Sequence, residues 1–122
     1  MAYVDGFVLP VPKKNLKAYR KMAEWGKRTW MKAGAVDYKE CVGDDLKVKF
    51  GLPFTKLAKA KKGETVFYSF IVYKSRAHRD RVNAKVMKEM AAGGMPTNMP
   101  FDVRRMAYGG FKVLVDGGRR SR

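Results

Sequence analysis

The sequence predicts an α+β fold: a ferredoxin-like βαββαβ protomer whose antiparallel sheet carries helices on one face. Three observations lead there. Apolar residues alternate with a period of two in four segments and with a helical period in two others, in the order strand, helix, strand, strand, helix, strand. The chain has 122 residues, the size of one domain, and 46% of them are hydrophobic. That content supplies a core and excludes intrinsic disorder. Third, the strongest strand is apolar on both faces, so a sheet covered on one side asks for a second cover. The predicted domain runs over 1–116, with 117–122 as a flexible basic tail.

Residues 3–9 (YVDGFVL) read as the first strand, bounded by Pro10 and Pro12. From 14 to 33 the spacing turns helical: Leu16, Tyr19, Ala23, Gly26, Trp30 and Ala33 form one stripe, which Gly34 ends. Residues 35–42 (AVDYKECV) read as the second strand, and Gly43-Asp44-Asp45 as a turn. The stretch 46–63 holds Gly51 and Pro53 and reads as an irregular edge followed by a basic loop or short helical turn. Residues 64–73 (ETVFYSFIVY) are the clearest strand, rich in β-branched and aromatic side chains. Ser75 suits the N-cap of a second helix reaching about Ala92. Residues 104–115 read as the last strand, with a bulge or a close backbone approach at Gly109-Gly110.

The two-sided apolarity of 66–73 predicts a homodimer through the sheet. Its candidate interface residues are Phe67 and Ile71 on one face, or Tyr68 and Phe70 on the other. A second feature lies on the first helix. Ala18, Met22, Trp25 and Thr29 make a stripe beside the core stripe, wider than one packing face needs. Such a stripe marks a partner surface for a second chain or a higher assembly, with Trp25 as its anchor. The alternative is that Trp25 folds over its own domain near Met95.

Charge is the compositional anomaly. Lys and Arg number 27 against 11 acids, a net charge of +16. The excess predicts nonspecific, salt-sensitive binding of RNA or DNA. Candidate contacts are Lys13, Lys14, Lys17, Lys21, Lys61 and Lys62, with Arg119 and Arg120 in the tail. Cationic groups and aromatics are not interleaved as a dedicated nucleic-acid site would have them.

No catalytic motif is present: no P-loop, GxGxxG, GxSxG or HExxH. Two residues are weak catalytic candidates. His78, the sole histidine, reads either as a half-packed helix residue or as a proton-transfer group in a pocket between sheet and helices. Asp5 interrupts an otherwise uncharged strand, and a pairing with Arg104 or Arg105 is its simplest explanation. Cys41 is the single cysteine, read as a small buried apolar residue. It leaves no internal disulfide and no Cys/His metal cluster, and a reducing cytoplasm is the expected setting. No metal or cofactor is expected. The longest apolar run has eight residues, far short of a membrane helix.

Four strings carry a family likeness: YVDGFVLPVP, ECVGDD, the run KVKFGLPF through RVNAKVM, and MPFDVRRMAYGGFKVLVD. Together they cover nearly the whole chain and resemble the YbaA-like family of small uncharacterised bacterial proteins. The resemblance implies a ferredoxin-like protomer, a back-to-back sheet dimer of the dimeric α+β barrel superfamily, and no established activity. The chain departs from the family in its almost wholly basic first helix and in an altered segment around 87–102. That departure points to an engineered, surface-redesigned derivative, with a natural basic homologue as the alternative. The leading functional expectation is therefore a noncatalytic dimeric scaffold with a cationic surface. The alternatives are a cofactor-free oxygenase-like enzyme, or another small-molecule enzyme, using a sheet/helix pocket, and a nonspecific nucleic-acid binder.

Overall fold

The computed structural model describes residues 1–94 and 98–118. Its elements are β1 (Tyr3–Pro12), α1 (Leu16–Ala33), β2 (Asp37–Val42), a one-turn α2 (Phe54–Leu57), β3 (Glu64–Tyr73), α3 (Arg76–Glu89) and β4 (Ala107–Lys112). The four strands form one sheet in the order β2-β3-β1-β4 with every pairing antiparallel. This is the ferredoxin-like topology that the order of periodicities predicts.

Register decides which side chains share a face. Leu9 lies opposite Phe67, Phe7 opposite Ser69, Asp5 opposite Ile71 and Tyr3 opposite Tyr73. These eight face α1 and α3. One buried cluster under α3 joins Tyr3, Ile71 and Tyr73 to Val82 and Val86. Another under α1 joins Leu9, Val11 and Phe67 to Tyr19 and Ala23. Phe7 packs against both clusters and lies between them.

The helix ends follow their chemistry. Gly34 closes α1 in the left-handed region at φ 117°, where a side chain would be strained. The Ser75 hydroxyl accepts the His78 backbone N–H and caps α3. Asn15 does not cap α1; its amide instead donates to the Pro100 carbonyl, tying the segment before β4 to the start of the helix.

Several boundaries differ from expectation. β2 begins at Asp37, not 35, because Ala35 and Val36 are taken up in the bend leaving α1. β4 begins at Ala107, because Val103–Arg105 form a 3-10 turn that the Asp102 carboxylate caps. α3 ends at Glu89, ahead of a wide turn over Met90–Gly94 in which Gly93 adopts φ 90°. No bulge occurs at Gly109-Gly110. Both stay in register with Gly6 and Asp5, and the expected close approach is the one realised. A Cβ on Gly110 would stand 2.7–2.8 Å from carbons of the Tyr3 ring.

Candidate functional site

Between α1 and the sheet lies a cavity of about 200 Å3. Its floor is the helix-facing side of β1, β2 and β3, its roof is α1, and Met99, Phe101 and Met106 add to its lining, which stays partly open to solvent. The walls are almost entirely apolar, from Phe7, Trp25, Trp30, Met22, Met90 and Ile71. Trp25 and Trp30 stand at 87° with ring centres 6.4 Å apart, so the two indoles form adjacent walls. The Trp30 indole N–H donates to the Asn83 side chain at 3.1 Å, which locks that ring between α1 and α3.

One carboxylate breaks the apolar lining, next to Lys39, which also borders the cavity and is held by Asp37. Glu40 points from β2 toward α1 and accepts three hydroxyl hydrogen bonds. Tyr19 donates at 2.8 Å and Tyr38 at 2.9 Å, one to each carboxylate oxygen, and Ser69 donates to the oxygen that Tyr19 uses. Glu40 and Ser69 are directly opposed across the β2–β3 ladder. Burial, reinforced by the adjacent Glu40 carboxylate, pushes both tyrosine hydroxyls well above their usual range, so both remain proton donors. Among the described residues no lysine or arginine nitrogen lies within 4 Å of Glu40.

The same Tyr19, Tyr38 and Glu40 also border a more open cleft of about 440 Å3 on the other side. Its rim carries Arg20, Glu24 and Lys27, with Glu24 and Lys27 paired at 2.9 Å. The carboxylate therefore stands at the junction of an apolar chamber and a charged mouth.

Against this geometry the expected site residues sort as follows. Asp5 is buried and paired, but with Arg79 of α3 at 2.7 Å, not with Arg104 or Arg105. α3 crosses the strand at that level, and Arg79 also lies over the Tyr3 ring at 4.9 Å. Arg105 turns instead to Glu64, with both carboxylate oxygens bonded at 2.7 and 2.8 Å, and Arg104 pairs only with Asp102. His78 is not in the cavity. Its Nδ1 accepts the Lys74 backbone N–H and its ring meets Tyr73 edge-on. Partial burial, with Lys74, Arg81 and Lys85 nearby, moves its pKa below the ordinary histidine value. Cys41 is exposed, not buried, because its register places it beside Tyr68 on the open side of the sheet.

Of the four sheet residues, Phe67 and Ile71 are buried under the helices of their own chain, whereas Tyr68 and Phe70 alternate onto the uncovered face. Tyr68 is 50% exposed. Met22 and Trp25, two of the four residues of the second stripe of α1, are half-buried and line the cavity. Thr29 donates its hydroxyl to the Trp25 carbonyl, and Ala18 is exposed. Met95, the neighbour expected for a folded-over Trp25, lies outside the described residues; Met90 and Met99 share the cavity with Trp25 instead. Lys13, Lys14, Lys17, Lys21, Lys61 and Lys62 are all exposed. The Lys13 N–H donates to the Gly63 carbonyl at 2.8 Å, which brings the 13–14 and 61–62 pairs to one end of the sheet. Arg119 and Arg120 lie outside the described residues.

Sequence reasoning missed Glu40, Tyr38, Ser69 and Arg79 as site or core-pair residues. A signal existed. Tyr38, Glu40 and Val42 alternate, as do Phe67, Ser69 and Ile71, so each polar residue interrupts an apolar face at a position the register then opposes.

Fold and site together define a small ferredoxin-like α+β protein with a carboxylate-floored cavity under its first helix. The chain belongs to the family described as protein of unknown function (DUF1428), whose pattern matches residues 2–103. It is 38% identical over 116 residues to the uncharacterized protein YbaA of Escherichia coli strain K12, covering 95% of this chain and 99% of that one. YbaA of Shigella flexneri matches to the same extent. In three dimensions the chain resembles the structure of Rv0793 from Mycobacterium tuberculosis, with a TM-score of 0.54 at 13% identity, over 97% of this chain and all of that one. At that identity the likeness shows the fold alone.

Proposed function

We propose that the protein binds a compact, largely apolar small molecule in the cavity beneath α1, in the manner of a small-molecule enzyme or carrier. One observation carries the reading: a half-buried carboxylate, held by three hydroxyls, borders a chamber lined mostly by aromatic, aliphatic and methionine side chains. A buried charge is costly unless it is both hydrogen-bonded and paired, and Glu40 is bonded but unpaired among the described residues. An apolar cavity of about 150 Å3 admits a benzene ring, so this one suits a single-ring molecule. Methionine walls adapt to irregular shapes. A carboxylate has about four acceptor positions. Three are filled, and the fourth is available to a donor on the ligand.

The test is a fragment screen read by tryptophan fluorescence, since Trp25 and Trp30 both line the chamber. Saturable quenching by single-ring compounds, abolished by Met99→Trp in the cavity lining, supports the reading. A screen in which no ring-sized compound perturbs either indole refutes it and returns the leading place to a noncatalytic scaffold.

A second feature supports association of two chains. The sheet face away from the helices presents Val4, Val8, Tyr68, Phe70 and Phe111, with Phe111 63% exposed and the Phe54 ring packed on Tyr68. We read this face as the seat of a second copy. The net charge of +16 supports a third, weaker property, nonspecific adhesion to nucleic acid at low salt. Gel shifts on unrelated RNA and DNA sequences should look alike and vanish together as salt rises.

A further inference from the structure

We infer that the ligand class of the α1 cavity is an organic cation: a primary, secondary or quaternary amine on a ring-sized apolar body. The inference rests on the cavity being a binding site and adds the chemistry of what enters it.

Glu40 supplies the first reason. All three of its protein partners are neutral hydroxyls. Hydroxyl donors satisfy a carboxylate's lone pairs but leave its charge uncompensated, and a half-buried charge is normally paired. The nearby cations do not pair with it. Lys39 is engaged by Asp37 at 2.8 Å and Lys27 by Glu24 at 2.9 Å. Arg20 borders the same outer cleft but makes no salt bridge with the carboxylate. Every other interior carboxylate here has its guanidinium, Asp5 with Arg79 and Glu64 with Arg105. Glu40 is the exception among the described residues, and it is the one that faces a cavity.

The walls supply the second reason. Trp25, Trp30, Tyr19 and Tyr38 all line the chamber. Indole and phenol faces attract cations through their quadrupoles, tryptophan most strongly, and two indoles at right angles present π-surface from two directions. The methionine sulfurs add polarisable contacts that tolerate either an alkyl or an aromatic body. A carboxylate beneath aromatic walls is the arrangement that distinguishes an ammonium ligand from a neutral one of the same shape. A neutral alcohol can fill the fourth acceptor position but cannot compensate the charge. A carboxylic acid entering as its anion is repelled by it.

The experiment compares four single-ring probes on the wild-type protein at physiological ionic strength: benzylammonium and its isostere benzyl alcohol, with benzyltrimethylammonium and benzoate. Binding is followed by tryptophan fluorescence and calorimetry. One or both cations should bind at least about tenfold more tightly than benzyl alcohol, with benzoate weakest. Glu40→Gln should remove most of that preference, the cations losing more affinity than benzyl alcohol. Because the preference is measured first on the unmodified protein, the result stands even if Glu40→Gln folds poorly. Equal affinity for cations and alcohol would overturn the cation assignment and leave the cavity reading intact. Failure of all four probes to bind would overturn both.

Discussion

Gly26 and Tyr38 share one space. The Tyr38 ring slides under α1 where Gly26 has no side chain, and a Cβ there would overlap the hydroxyl and stand 3.3 Å from the ring carbon that bears it. That passage lets the Tyr38 hydroxyl reach Glu40 at 2.9 Å. A glycine in mid-helix costs roughly 1 kcal/mol relative to alanine, so α1 gives up propensity to hold the tyrosine beneath it.

Gly26→Ala should therefore act against the usual sign. In an ordinary helix it stabilises; here the displaced ring should cost about 1–3 kcal/mol. Gly26→Ala with Tyr38→Phe removes the overlapping atom and should recover part of the loss. Urea denaturation of the single and double variants measures the coupling. A stabilised Gly26→Ala protein would mean that the ring has another place to go.

The Asp5–Arg79 pair ties the first strand to α3 through an almost fully buried carboxylate. Removing one partner of a buried pair strands the other charge and costs about 3 kcal/mol or more. Asp5→Asn should approach that figure, and Asp5→Asn with Arg79→Met should cost less than the two single changes summed. Independent, additive effects in chemical denaturation would show that the two groups do not depend on each other.

Acid should loosen the segment that carries Phe101 and Met106 to the cavity. The Arg105 guanidinium beside Glu64 holds that carboxyl down at about 2. In the unfolded chain it titrates near 4.3, so between these values the unfolded state binds more protons. The contribution is fully present above about pH 5 and is lost as pH falls toward 2. Arg105 also holds Asp102, next to the cavity-lining Phe101. Arg105→Met should flatten the acid limb of a Tm-against-pH curve between pH 5 and 2. An unchanged limb would place the acid sensitivity elsewhere.

The two faces of β3 should answer differently to the same insult. Tyr68→Asp with Phe70→Asp alters the uncovered face, and should give a folded monomer if a second copy sits there. Phe67→Asp with Ile71→Asp places charge in the two core clusters and should unfold the chain. Light scattering and circular dichroism separate these outcomes. An association state unaffected by the first pair would move the interface off this face.

The fold was legible because it is written in periodicity. The switch from two to near 3.6 and back located every major element, and Gly34 and Ser75 marked helix ends by local chemistry. The site was less legible because it depends on register. Nothing local to Glu40 says that Ser69, 29 positions away, lies opposite it. For the same reason the sequence alone pairs Asp5 with Arg104 or Arg105 of the last strand and not with Arg79, on a helix crossing above. Spacing picks out the α1 stripe of Met22 and Trp25 but leaves two readings, a partner surface or a fold over its own domain. Spacing gives an angle around the helix axis, not what stands at that angle; here Met99, Phe101 and Met106 border the same cavity.

The most direct test is a crystal structure of the protein grown with benzylammonium. The account predicts the ring within the chamber between Trp25, Trp30 and Phe101, with its nitrogen about 2.8 Å from a Glu40 carboxylate oxygen. Density for the ligand only at surface acids, with the chamber empty or collapsed around Tyr38, would contradict it.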